Sequence, residues 1–397
     1  MSARGRILQS VSWMVLAIWP AVASGQSTAV VADVANSRAL GTTAVQSGTV
    51  VTIDGGTRAG TNLFHSFSQF SVGVGDTARW VRSAGDAGSL TNVISRVTGG
   101  QTSRIAGTLD STALPNASFY FINPAGIVFG AGARVNVPAA AYFSTAGELR
   151  FADGSQFAVS APNGSTLSMA PPESFGFLGG QGGIDIQGAG ASFAPTTIRL
   201  SFSGSSVQLS NPALNLGSRL VVGGLDLIGV GSGVDVVRLA DPLASAYSGA
   251  VTVRNTPVVL SSVDGPSGSL RIGGRLVSLS GTDVVSDAGG SARGGDIRIR
   301  ADDLQITGAS QLVSSARAGG TGGDIVLTVG KLAAESVKLI SVTTTTARGG
   351  NIALAGSEGL TISGQSFVTS TNSGIGAGGD ITLSAPPLVP RVREIFA

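Results

Sequence analysis

From about residue 26 onward the chain is built of short runs in which apolar and polar residues alternate. Val, Ile, Phe, Leu and Thr fill the runs, and Gly, Asn, Asp, Ser and Pro separate them. A period of two marks a strand with one buried face, and separators of this kind mark turns. No long stretch carries a helical period. The late part repeats, in the segments Gly294-Gly295-Asp296-Ile297-Arg298-Ile299, Gly322-Gly323-Asp324-Ile325-Val326-Leu327, Gly349-Gly350-Asn351-Ile352-Ala353-Leu354 and Gly378-Gly379-Asp380-Ile381-Thr382-Leu383. A degenerate copy, Ser267-Gly268-Ser269-Leu270-Arg271-Ile272, lies one such interval before the first. A regular period of this size, about 28 residues, indicates a solenoid of stacked units. Within one unit Ile297 and Ile299 alternate with arginines, Leu304 and Ile306 flank Gln305, and Leu312 and Val313 precede a Ser/Ala/Gly turn. The pattern predicts three short strands per unit, bent at glycine corners, each unit being one coil of a parallel β-helix.

Residues 26 to 175 are less repetitive and hold most of the phenylalanines. Phe119-Tyr120-Phe121-Ile122 is apolar at four consecutive positions, so both faces of that strand must be covered. An open solenoid end exposes strand edges and core, and this region is expected to supply an N-terminal β cap and the first coils. Gly319 to Leu327 formally matches a calcium-binding nonapeptide. No copy recurs at nine residues, and Asn351 stands where Asp324 does one repeat earlier. A turn with stacked Asx residues is the better reading.

Composition narrows the class. With 42% hydrophobic and 12% charged residues in 397, a large core is feasible, and 59 glycines without a G-X-Y period exclude collagen. There are no cysteines, which a long repetitive β-core can do without. Arg4 and Arg6 precede a short apolar core from Val11 to Trp19, and Ala21-Val22-Ala23 then offers a cleavage site. Residues 1–25 are read as a signal peptide, too short in its apolar part for a stable membrane span. Removing it takes away two arginines and leaves 23 basic and 23 acidic residues, so no nucleic-acid partner is expected.

The residues of the first half then match a known family. Thr61 to Val72, Asn92-Val93-Ile94-Ser95-Arg96-Val97-Thr98-Gly99-Gly100, Arg104-Ile105-Ala106-Gly107-Thr108-Leu109 and Phe121-Ile122-Asn123-Pro124-Ala125-Gly126-Ile127-Val128-Phe129-Gly130 come in that order. Phe143-Ser144-Thr145-Ala146 and Phe151-Ala152-Asp153-Gly154 follow. Across roughly residues 28 to 180 this resembles the N-terminal secretion (haemagglutination activity) domain of filamentous-haemagglutinin-type two-partner-secretion exoproteins. The resemblance implies an all-β, right-handed parallel β-helix with an N-terminal β cap. It implies Sec-dependent export through the periplasm of a Gram-negative cell to an outer-membrane transporter, a pore with periplasmic docking domains. It also implies a secreted or cell-surface adhesin or haemagglutinin, with host-cell or matrix glycans or proteins as the open class of ligand.

The chain divides accordingly into the signal peptide 1–25, a secretion domain 26–180, irregular β-helix coils 181–265, the periodic repeats 266–385, and a Pro-containing tail 386–397. Members of this family are usually far longer; the chain is read as a short member, a truncated frame or a delivery module. The family's Asn-Pro-Asn-Gly turn falls on Asn123-Pro124-Ala125-Gly126, with alanine at the third position, and the earlier Asn-Pro-Asn-Leu motif of some members has no equivalent between Arg82 and Asn92. Asn92, Arg96, Asn123, Pro124 and Gly126 are the candidate partner-recognition residues. The plainer reading makes the asparagines local turn residues and Arg96 an exposed arginine. Ala21 and Ala23 mark the signal cleavage region. No enzyme, cofactor or metal site is expected. His65 is the only histidine and belongs in an aromatic cap strand, and Asp302-Asp303 adjoins a strand where neighbours face opposite ways. A structural surface or biofilm-matrix protein is the alternative, and a β-helical polysaccharide-active enzyme the more distant one.

Overall fold

The computed structural model describes residues 27–34, 39–84, 88–188, 192–193, 199–210, 220–221, 224–262, 267–317, 319–344, 346–386 and 395–396. The signal segment with Ala21 and Ala23, and most of the tail, lie outside them. The chain forms a right-handed parallel β-solenoid of about 11 turns. Inward columns run through it in register: Leu270, Ile297, Ile325, Ile352 and Ile381 in one, Ile272, Ile299, Leu327, Leu354 and Leu383 beside it. Each side chain therefore packs on its equivalent about 4.8 Å above and below. In the N-terminal coils the same interior is aromatic, with Phe70 against Phe121 at 4.9 Å, Trp80 against Phe119 at 4.7 Å and Phe129 against Phe143 at 5.0 Å.

The coil has the three faces that the alternation predicts, but not three separate strands. In the late repeats the first two faces join into one bent strand, Ile297–Thr307 or Ile325–Glu335, followed by the third face at Gln311–Ala316 or Lys338–Thr343. The separate strands Leu225–Gly229 and Ala250–Arg254 both pair with the single strand Leu270–Ser280, so the merger happens there. Backbone hydrogen bonding to the neighbouring coils carries the chain through the bend.

The corner after the third face is built from a serine and two glycines. Ser314 is fully buried; its hydroxyl donates to the Gly295 carbonyl at 3.0 Å and accepts from the Gly323 amide at 3.0 Å. Ser341 and Ser370 do the same one and two coils on. On the outer side of this corner the Asx residues form a ladder: the amide of Asp324 bonds Asp296 Oδ1 at 3.0 Å, that of Asn351 bonds Asp324 Oδ1 at 2.8 Å, and that of Asp380 bonds Asn351 Oδ1 at 2.9 Å. Stacked Asx turns are thus what these repeats contain.

The first end is capped by antiparallel pairing. Ala29–Ala32 runs against Asn62–Ser71, and Thr42–Ser47 forms a hairpin with Val50–Gly55. A second, extra-helical layer covers one outer face: the strands Glu148–Phe151, Gln156–Ala158, Pro172–Leu178 and Val234–Arg238 make a four-stranded antiparallel sheet. This layer explains the uninterrupted apolar run. Phe119 and Phe121 point into the solenoid, while Tyr120 and Ile122 point out into a second core with Phe151, Phe157, Phe175 and Phe177.

Candidate functional site

Asn92 and Arg96 lie four residues apart on the strand Asn92–Val97, so both project outward, into the layer beneath the antiparallel sheet. Asn92 is 8% exposed and donates from Nδ2 to Asn62 Oδ1 on the coil below at 2.8 Å. Asn62 in turn donates to the carbonyls of Ser168 and Ala170 at 2.9 and 2.8 Å. The asparagine pair so fastens the segment that leads into the strand Pro172–Leu178.

Arg96 is fully buried, which corrects the expectation of an exposed arginine. Its Nε donates to Ser66 Oγ at 2.8 Å, and its Nη1 to the Ala158 carbonyl at 2.6 Å and Ser165 Oγ at 2.5 Å; the guanidinium lies 4.5 Å from the Phe157 ring centre. Ser66 passes the contact on, donating to Asp33 Oδ2 at 2.6 Å, and Thr98 donates to the same oxygen at 2.9 Å. A buried cation and a buried carboxylate are thereby bridged through one hydroxyl. The chain Arg96–Ser66–Asp33 ties the cap, the first two coils and the antiparallel sheet together. Such a network offsets the cost of desolvating both charges only while all its members are present.

The turn Asn123 to Gly126 is a corner of the stack, apart from the Asn92/Arg96 layer. Asn123 Oδ1 accepts from the Ala125 amide at 3.0 Å, the local Asx bond, and its carbonyl accepts from the Gly126 amide at 3.0 Å. Its Nδ2 reaches down a coil to the Gln101 carbonyl at 2.8 Å and Ser103 Oγ at 2.9 Å. The Pro124 carbonyl accepts from the Gly182 amide of the coil above at 2.8 Å. Gly126 has φ +115°, a conformation that a β-branched residue resists. Asn92, Arg96 and Asn123 are therefore internal fasteners of the folded chain.

His65 is fully buried in the strand Asn62–Ser71, as the cap reading places it. Thr42 Oγ1 lies 3.3 Å from Nδ1, and a side chain at Gly56 would stand 2.9 Å from the ring. Burial pushes its pKa down from 6.5 to about 4, against the pull of the Asp54 carboxylate. The folded cap thus holds neutral imidazole. As pH falls from 6.5 towards 4, the unfolded chain takes up a proton that the folded one refuses, so stability is lost over this window, about 3 kcal/mol in all. His65→Gln should flatten the acid limb of a stability–pH curve from chemical denaturation, and an unchanged limb would refute this account.

Sequence reasoning missed Ser66, Asn62, Asp33 and Ser165. The signal for the first two was present: Asn62–Asn92 and Ser66–Arg96 are both separated by 30 residues, one coil. Set against known proteins, residues 32–258, more than half of the chain, match the family model of the TPS secretion domain. The chain belongs to this family of two-partner-secretion exoprotein N-terminal domains. It is similar to two solved structures, the HMW1 secretion domain from Haemophilus influenzae and a filamentous hemagglutinin secretion domain. The first is 14% identical with a TM-score of 0.43, covering 90% of this chain and 100% of that one. The second is 15% identical with a TM-score of 0.41, covering 90% and 99%. No curated protein sequence matches the chain. A secretion domain of this family makes the chain a secreted exoprotein of a two-partner system, whose partner is an outer-membrane transporter.

Proposed function

We propose that the chain is a surface-presented adhesin of the haemagglutinin type. On this reading a signal peptide cleaved near Ala21–Ala23 directs Sec-dependent export, and the unfolded secretion domain engages the transporter. The solenoid then closes outside the cell and presents its outer faces to host-cell or matrix glycans or proteins. The observation that carries it is the secretion-domain match over residues 32–258 joined to a solenoid that continues in register to residue 384. Asn92, Arg96, Asn123, Pro124 and Gly126 act in export either as residues read in the extended chain or as fasteners that close the fold. The chain is not read as an enzyme, since its one histidine is sealed under the cap. The stacked Asx and serine ladders also suit a purely structural surface protein, which is the second reading.

Deleting the partner transporter should trap the chain in the periplasm and abolish adhesion of cells to the surfaces they colonise. Export that continues without it removes the two-partner reading, and export with no adhesion favours the structural one. Asn123→Asp would set a carboxylate against the Gln101 carbonyl, and Gly126→Val would force a β-branched residue to positive φ. Both should lower secreted yield several-fold while leaving expression intact. Wild-type secretion by both would remove the role given to this turn.

A further inference from the structure

A groove follows the outer face of the later coils. Its floor is set by register. One outward column reads Asp226, Arg271, Arg298, Val326, Ala353, Thr382, and the column beside it Gly273, Arg300, Thr328, Ala355, Ser384. Its wall is the segment 239–248, held over the sheet by two of the arginines. Arg271 Nη1 donates to the Ala240 carbonyl at 3.0 Å, and Arg300 Nη1 donates to the carbonyls of Leu243 at 3.0 Å and Ala244 at 3.3 Å. Two hollows, of about 560 and 400 Å³, lie end to end on either side of Arg300 and Thr328, with Arg300 reaching from floor to wall between them.

The charges within it are not equivalent. Asp226 is 1% exposed and is held by Arg199 at 3.0 Å and Arg271 at 2.6 Å, so the carboxylate cancels one of the two positive charges and the trio keeps the other, largely below the surface. Arg298 is different: its side chain is 54% exposed and gives one nitrogen to Asp296 at 2.9 Å. Arg298 and Arg300 share one face of one strand, about 7 Å apart. Past them the floor falls to small side chains, Val326/Thr328, Ala353/Ala355 and Thr382/Ser384, over three coil spacings, roughly 14 Å. The shape is a trough with two guanidiniums at one end and hydroxyl-bearing residues along its length, with Asp302 and Glu358 also on its lining, Glu358 paired with Lys331 at 3.1 Å.

We propose that this groove binds a linear carboxylated polysaccharide, a uronate-containing glycan lying along the solenoid axis. A carboxylate matches the planar fork of Arg298, and ring hydroxyls match Thr328, Ser357 and Ser384. A nucleic acid does not fit. Its duplex carries a charge about every 1.7 Å, far denser than the few guanidiniums here, which are spaced by Asp241 and by Asp296, itself paired with Arg293 and Arg298; a uronate chain carries at most one charge per sugar ring. The assignment deepens the adhesin reading and rests on the solenoid being presented outside the cell.

The test uses the purified full chain with oligogalacturonate and its fully methyl-esterified counterpart as probes. The acid form should bind at least about tenfold more tightly than the ester, and R298A should lose about tenfold while keeping the circular dichroism of the wild type. R317A removes the same charge from another face of the solenoid, where Arg317 pairs with Asp287, and should bind as wild type. Equal binding of acid and ester, no binding of either, or an equal loss in R317A would overturn the groove assignment. Adhesion of whole cells is read separately. Oligomer binding without adhesion would keep the groove and remove the adhesin reading, and adhesion untouched by R298A with no oligomer binding would do the reverse.

Discussion

Arg96→Ala should unfold the N-terminal third of the chain at a distinctly lower denaturant concentration, at a cost of about 3–5 kcal/mol. The substitution leaves the Ala158 carbonyl with the Ser165 hydroxyl as its one remaining side-chain donor and breaks the relay that faces the buried Asp33 carboxylate. It also empties space against Phe157. Because the guanidinium holds together residues as distant as 66 and 165, its loss should separate layers and not merely loosen one strand. Hydrogen exchange should rise together in the cap, in the strand Asn92–Val97 and in the antiparallel sheet, while the late coils keep their protection. Arg96→Lys should fall between, keeping a cation but losing the Nε bond to Ser66 and the second arm. Secretion should drop in the same order if closure of this layer draws the chain outward. If R96A keeps a stability indistinguishable from wild type, as an ordinary surface substitution would, the network is not what joins these layers.

The solenoid was legible because its cause is local. Ile297 and Ile299 must face one way and Arg298 the other, and the regular return of that pattern in the late segments leaves stacking as the way to bury both columns. The run Phe119 to Ile122 likewise announced a second covering layer, though not its construction. That layer is made of strands between residues 148 and 238, and Val234–Arg238 pairs with Pro172–Leu178 across a long gap in sequence. Non-local antiparallel pairing of this kind leaves no periodic trace. Arg96 was misjudged for the same reason: in isolation a strand arginine points to water, and only the later sheet buries it. Asn123 was half legible. Its bond to the Ala125 amide is what an Asn-Pro turn predicts, whereas its reach to Gln101 and Ser103 depends on which coil lies beneath. The merging of two predicted strands into one reflects the sheet as well, since pairing with both neighbouring coils sustains extended backbone through a bend that a single coil could not hold.

The corner serines stand in the sequence at a fixed offset that hydrophobic alternation does not pick out. Ser286, Ser314, Ser341 and Ser370 each stand nine residues before the second glycine of the next pair. A hydroxyl in the core at a constant distance from a glycine amide is a cap, and the glycine is required because the coils meet there backbone to backbone. At Gly323 a methyl group would overlap the Gly295 carbonyl and stand 2.5 Å from the Gly294 oxygen and 2.6 Å from Ser314 Oγ. Neither coil can yield, since each is held in the same way by the next. Gly323→Ala should therefore cost more than about 4 kcal/mol, and Ser314→Ala about 2–4 kcal/mol for a donor and an acceptor left unpaired in the core. Gly359→Ala meets nothing within 4 Å and should be close to neutral. Because each coil leans only on its neighbours, the damage should stay near its site: exchange should accelerate over the coils around residue 323 while the cap and antiparallel sheet remain protected. Denaturation of G323A as a single transition at the wild-type midpoint would mean that the glycine corner is not close-packed and that the serine-glycine stack does not hold the coils together.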